Sequence, residues 1–337
     1  MAARCALPDD AFITYRYAAN LADGRGFVYN RGEPVLGTTT PLLTVLLALA
    51  RRAGADIPRT AVALSTGASA AGAALLAAVA LATTGSLLVA VAGGALMGLS
   101  TYQGELGAGG MEAPLLIALM FGSVLLLARD RCAWGALVAA LAALTRPEGF
   151  LWWALYGLVL WRTGKLSRVA LAAGLGPIAL WFGFAVAYFG SPLPHTVVAK
   201  VLQGRSPMAQ LAPPWRMFEA ALGPGRYLLV GLAAPVLMWR HDRRLALPVA
   251  FSAIFLAAYG LARPMMYPWY AAPLDAAVGL MLVAVLDGAL RLWDAPAPPR
   301  RQPYHRLWTV CVIASFLLLV SCRAQHHRAL LFSARMP

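Results

Sequence analysis

The chain has 337 residues, 60% of them hydrophobic and only 12% charged, with a mean hydropathy of +0.67. A soluble domain runs about 45–50% apolar and about 25% charged, so a soluble globular protein is excluded. The formal charge is +14, but the excess sits in short loops such as WRHDRR (239–244) and PPRRQPYHR (298–306). That is the positive-inside pattern of a membrane protein, not a nucleic-acid surface.

In chain order, apolar runs cover 38–50, 61–83, 86–101, 113–128, 133–145, 150–161, 169–189, 227–239, 245–262, 273–290 and 307–322. A crossing needs roughly 20 apolar residues, so these predict about 9–11 membrane helices. Unpaired backbone polar groups are not tolerated in lipid, which makes the expected fold all-α: a polytopic transmembrane bundle in one domain spanning 1–337. Cys5, Cys132, Cys311 and Cys322 form no C-x-x-C pair and read as small buried residues.

The opening block, 8–37, holds Asp9, Asp10, Asp23 and Glu33 together with Arg16, Arg25 and Arg31. Pro8 suits a helix start, and residues 9–23 are predicted as an amphipathic interfacial helix. On it Asp9, Arg16, Asn20 and Asp23 fall within about 60° of one another, flanked by Phe12, Tyr15, Ala19 and Ala22. Gly24 and Gly26 end it, and an extended loop follows to the hydroxyl cluster Thr38, Thr39 and Thr40. Carboxylates in a first helical turn are favoured by the helix dipole alone. An acidic pair at a lipid–water boundary also suits a general base.

Basic loops 129–131, 162–168, 239–244 and 291–306 are predicted cytoplasmic, which puts 102–112, 145–149, 190–225 and 263–272 on the opposite face. The side of 8–37 depends on whether 38–50 crosses; Arg51, Arg52 and Arg59 after it have a cytoplasmic look.

Further candidates lie along the chain. Glu112 follows Gly107, Gly109 and Gly110 and precedes Pro114; it reads either as a carboxylate at a helix start or as a group that orients a base, binds an acceptor hydroxyl or helps hold a divalent cation. Arg146, before Pro147 and Glu148, reads either as an interfacial arginine paired with Glu148 or as a clamp on a phosphate. His195 and Lys200 belong to the Pro-rich stretch 190–225, and Arg263 precedes Pro264. Lys200 and Arg263 are further phosphate candidates. Tyr267, Trp269 and Tyr270 read as an interfacial aromatic belt or as a stacking platform.

The string DDAFITYRYAANLADGRGFVYNRGEPVLGTTTPLLTVLLAL (9–49) resembles the opening of the C superfamily of integral-membrane glycosyltransferases. It is most similar to the branch of terminal arabinofuranosyltransferases. GMEAPL (110–115), LTRPEG (144–149), PLPHTVVAK (192–200) and YPWYAAPL (267–274) follow in the family's order. The resemblance implies transfer of a sugar from a polyprenyl-phosphate donor, on the outer face of the cytoplasmic membrane, to a glycan, lipid or protein acceptor. It maps the catalytic base onto Asp9, with Asp10 beside it, and a second acidic motif onto Glu112. Arg146, Lys200 and Arg263 then become donor-phosphate contacts, and Arg16, Tyr17, Asn20, Asn30, His195, Tyr267 and Trp269 substrate contacts. No cofactor is implied with certainty beyond the cation that Glu112 suggests.

Two departures stand out. Leu36 occupies a position where the family has an acid, and only eight residues precede Asp9 where members have a first helix. The second predicts that about 20 apolar residues precede Ala2 in a longer, fully active form. A truncated, non-catalytic relative and a transporter or flippase are the competing readings. Transporters carry ionisable groups near the bilayer midplane, and here only Asp275 and Asp287 approach that.

Overall fold

The computed structural model describes residues 7–195, 246–262 and 267–294. Among them the structure is all-α. Eleven α-helices follow in order: α1 Asp9–Ala22, α2 Pro41–Arg52, α3 Ile57–Thr84, α4 Leu87–Gly98, α5 Thr101–Ala108, α6 Ala113–Ala128, α7 Cys132–Ala143, α8 Pro147–Arg162, α9 Arg168–Phe189, α10 Ala246–Ala262 and α11 Ala272–Asp294. A single 3₁₀ turn, Pro268–Ala271, leads into α11.

Among the described residues, three segments are long and apolar enough to span a membrane: Ile57–Thr84, Arg168–Phe189 and Trp269–Arg291. The pair α4 and α5, bent by 53° at a short break, meets the same length and composition only when taken together. Helices α6, α7 and α10 are apolar but shorter. The expected 9–11 crossings include the runs 227–239 and 307–322, which lie outside the described residues.

Local chemistry sets the boundaries. Ser86, Ser100 and Ser167 each accept a backbone N–H three residues on, at the starts of α4, α5 and α9, satisfying donors that the first turn leaves free. Arg146, held extended by the following Pro147, separates α7 from α8. The stretch 102–112, expected as a loop, is helical over most of its length. Ser100 caps a new helix there, and Tyr102 and Gln103 are buried.

α11 is the central helix: 83% of its most apolar window is buried, against 28% for α3 and 22% for α9. Small residues let neighbours approach, with Gly93 against Leu76 and Val283, and Gly72 against Ile117. The outward faces of α3 and α9 expose Leu64, Leu81, Val169 and Leu180, as lipid-facing helices do.

α1 and α2 run side by side in the same direction. Thr14 Oγ1 hydrogen-bonds Thr40 Oγ1 at 3.0 Å at one end, and Arg51 Nε donates to Asp23 Oδ1 at 2.9 Å at the other. The start of α3 packs into the same cluster, with Ile57 and Ala61 against Ala11, Tyr15, Leu43 and Leu47. α2 therefore starts and ends beside the start of α3 and does not cross the bundle. Arg51, Arg52 and Arg59 share an end with 8–40, because an amphipathic α2 buries Leu43, Leu47 and Ala48 against α1.

Candidate functional site

α1 forms over the predicted range, but it is buried on two flanks. Ala11, Thr14, Tyr15 and Ala18 face α2 and α3; Tyr17 and Asn20 face the loop 23–40, which folds back over the helix. The expected polar stripe is therefore broken at Asn20, and Phe12, placed on the apolar flank, is half exposed. The loop's backbone uses the polar side chains. Asn20 Nδ2 donates to Val28 O and Tyr29 O, both at 2.9 Å. Arg16 Nε donates to Tyr29 O at 2.9 Å, and Arg16 Nη2 to Asn30 Oδ1 at 3.1 Å. Tyr17 Oη donates to Val35 O and accepts the Gly37 N–H. Arg16, Tyr17, Asn20 and Asn30, expected as substrate contacts, are tethers of this loop.

On its other side the loop is anchored to the end of α9. Phe27, almost fully buried, packs among Trp181, Phe184 and Phe189. The backbone N–H of His195 donates to Leu36 O, so the buried Leu36 is a backbone junction here. The His195 side chain is exposed and outside the cavity.

These tethers set the loop as one wall of a cavity of about 260 Å³. Its walls come from four distant parts of the chain: Asp10, Ile13, Thr14 and Gly37–Thr40; Met111 and Glu112; Arg146, Pro147 and Glu148; and Ala258, Tyr259, Ala262, Trp269 and Tyr270. Of the acidic pair, Asp10 lines this cavity, and Asp9, expected as the base, is exposed outside it. Successive helical residues point about 100° apart, so packing on α2 and α3 turns only one of the two inward. Trp269 lines the cavity and stacks on Tyr267 with centroids 4.9 Å apart. Tyr267 itself is not a wall residue. Lys200 and Arg263 lie outside the described residues.

The electrostatic centre is a buried triad. Arg146 Nη1 donates to Glu112 Oε1 at 2.6 Å, while Arg146 Nε and Nη2 donate to the two oxygens of Glu148 at 3.1 and 3.0 Å. All three residues are at most 8% exposed. Tyr259 Oη donates to Glu148 Oε1 at 2.6 Å, and the Tyr270 ring lies 5.4 Å from the guanidinium. Burial works against a charged Arg146, and the two carboxylates outweigh it, so the guanidinium stays charged. The planar edge that would clamp a phosphate is occupied by Glu148, which departs from the phosphate-contact expectation. Arg146 holds Glu112 and Glu148 in place instead.

Glu112 is further fixed by its approach. Gly110 takes a φ of +63°, and Tyr15 Oη donates to Gly110 O at 2.9 Å. Burial, with the Glu112 carboxylate, pushes the Tyr15 phenol up to about 12. As for a divalent cation, no three metal-ligating side chains come together among the described residues. Glu112 and Glu148 already share Arg146, so this donor set does not fit one.

Two buried pairings carried no sequence signal. Tyr259 sits inside an apolar run, and nothing in its neighbourhood pairs it with Glu148, 111 positions away. Gln103 Nε2 donates to the buried Asp275 at 2.7 Å across 172 positions. The triad itself was half visible in the Arg146–Glu148 spacing. No known protein family, curated protein or solved structure matches this chain.

Proposed function

We propose that the chain is a membrane glycosyltransferase that moves a sugar from a polyprenyl-phosphate donor to an envelope glycan, lipid or protein acceptor. The observation that carries the reading is convergence. The opening block, GMEAPL, LTRPEG and YPWYAAPL were singled out by resemblance, and each contributes wall residues to the one cavity. That cavity combines carboxylates with an apolar and aromatic lining, which suits a sugar attached to a lipid.

In this reading Asp10, not Asp9, is the general base. It takes the proton of the acceptor hydroxyl as the acceptor oxygen bonds to the anomeric carbon; the anomeric carbon–phosphate oxygen bond breaks, and polyprenyl phosphate leaves. Glu112, held by Arg146, orients the acceptor. Lys200 and Arg263 remain the proposed cations for the leaving phosphate. The far turns 129–131 and 162–168 are basic, which supports a cavity on the outer face of the cytoplasmic membrane.

The test is transfer from a radiolabelled polyprenyl-phosphate sugar by the purified full chain. Asp10→Asn is expected to lose on the order of 100-fold in rate, with Asp9→Asn near wild type. The reverse order would return the base to Asp9, and unchanged transfer in both would remove the carboxylate pair from the chemistry.

A further inference from the structure

A second open concavity lies at the opposite end of the bundle. α6 leaves the cavity beside Glu112 and ends in the turn 129–131; α8 leaves it beside Arg146 and ends in the turn 163–167. The two turns meet across a groove of about 420 Å³, lined by Arg131 and Trp134 from one and Lys165 and Ser167 from the other. Arg129, Arg162 and Arg168, all exposed, stand beside it. Between residues 129 and 168 this end therefore carries five cations, and among the described residues lining the groove Asp130 is the single acid facing them.

Asp130 is held for that position. Among the described residues it is the one non-glycine residue with a positive φ, 57°, and its carboxylate is ion-paired with the Lys165 ammonium. The Asp130 side chain is 76% exposed, so water screens the pair and a stronger anion can displace it. Immediately beside the cations the surface turns apolar. Trp134 and Trp161 are 60% and 61% exposed, and Val169 is 68% exposed. The Arg162 guanidinium lies 5.6 Å from the Trp161 ring. Exposed tryptophans beside cations mark the headgroup level of a bilayer, and the outward apolar face of α9 runs away from it.

We propose that this groove seats the headgroup of an anionic phospholipid. Its phosphate sits between Arg131 and Lys165, displacing Asp130, and its acyl chains lie along α9 from Val169 onward. An anionic head joined to an apolar tail is the chemistry that matches both halves of the surface; a free anion would use only the cations. The proposal rests on the groove and not on the transfer reaction.

The test uses the purified full chain in detergent, where membrane orientation plays no part. Native mass spectrometry reads retention of phosphatidylglycerol against phosphatidylcholine, with inorganic phosphate as a competitor. The wild type is expected to prefer phosphatidylglycerol. Arg131→Gln with Lys165→Gln should cut that preference on the order of ten-fold, since each basic group near an anionic surface contributes comparably. Asp130→Asn, which frees Lys165, should raise it. Arg51→Gln, at the other end, should leave it unchanged and controls for charge in general. Equal retention of the two lipids by the wild type, or a full preference in the double variant, overturns the proposal. Complete displacement of the lipid by inorganic phosphate alone also overturns it, because the groove is then a simple anion site.

Discussion

The two ends of the bundle treat charge in opposite ways. At the cavity end several arginines are partnered: Arg146 lies between Glu112 and Glu148, Arg25 and Arg51 share Asp23, and Arg16 is spent on the carbonyl of Tyr29 and the amide of Asn30. At the far end five cations between residues 129 and 168 face Asp130. A count of arginines per loop treats both ends alike and does not register that Arg51 is paired with Asp23. An arginine whose charge is cancelled by a fixed carboxylate says little about orientation; an unmatched one does.

This contrast can be broken most directly at the triad. Arg146→Ala leaves two buried carboxylates with no cation, and the expected loss is about 3–5 kcal/mol. A thermal unfolding scan in detergent reads it, and wild-type stability in that variant would mean the cavity end is no more matched than the far end. Arg146→Lys should recover only part, because a point ammonium cannot replace the fork between Glu112 and Glu148.

Next in size is Tyr259→Phe. It removes the hydroxyl that donates to Glu148, and hydrogen bonds to charged groups contribute roughly 1.5–3 kcal/mol. The same scan should show it, and Arg146→Ala combined with Tyr259→Phe should be non-additive, since both act on one carboxylate.

Gly110→Ala tests how Glu112 is positioned. The backbone there is left-handed, and an added Cβ would come within 2.4 Å of Tyr15 Oη. Strain of about 1–3 kcal/mol is expected. Adding Tyr15→Phe should relieve part of the loss by removing the clashing oxygen. A double variant no more stable than Gly110→Ala would place the whole effect in the backbone.

The smallest effect belongs to the exposed pair Arg51–Asp23. The hydrogen bond from Arg51 holds the Asp23 carboxyl below its usual range. A depressed carboxyl stabilises above its unfolded value, near about 4, and that contribution fades as pH falls through the lower folded value. Exposure and salt reduce it further. Arg51→Gln should therefore leave the unfolding temperature within scan error at neutral pH and match wild type in acid. A clear shift at pH 7 would show that the surface of this end is as coupled as its buried triad.

Much of this architecture was legible in order and composition. The apolar runs 61–83, 86–101, 113–128 and 169–189 became helices because a chain in lipid must pair its backbone groups within itself. The α1 prediction over 9–23 was within one residue of the observed end, since Pro8 and the glycines at 24 and 26 are local signals. The candidate segments, too, were local strings, and four of the five contribute walls to one cavity.

What only the tertiary structure decided is how those strings face one another. Asp9 and Asp10 are neighbours in sequence, and only the packing of α1 on α2 and α3 turns Asp10 to the cavity and leaves Asp9 outside. The polar residues of the opening block were read as substrate contacts, because a sequence does not show that loop 23–40 folds back and consumes Arg16, Tyr17, Asn20 and Asn30 on its own carbonyls. Arg146 was read as a cation available to a phosphate, because the distance from 112 to 146 to 148 to 259 closes only in three dimensions. By itself the sequence determined most of the described helices, α5 excepted, and the residues worth watching. The pairings between distant side chains, which fix each charge as used or available, came from the fold.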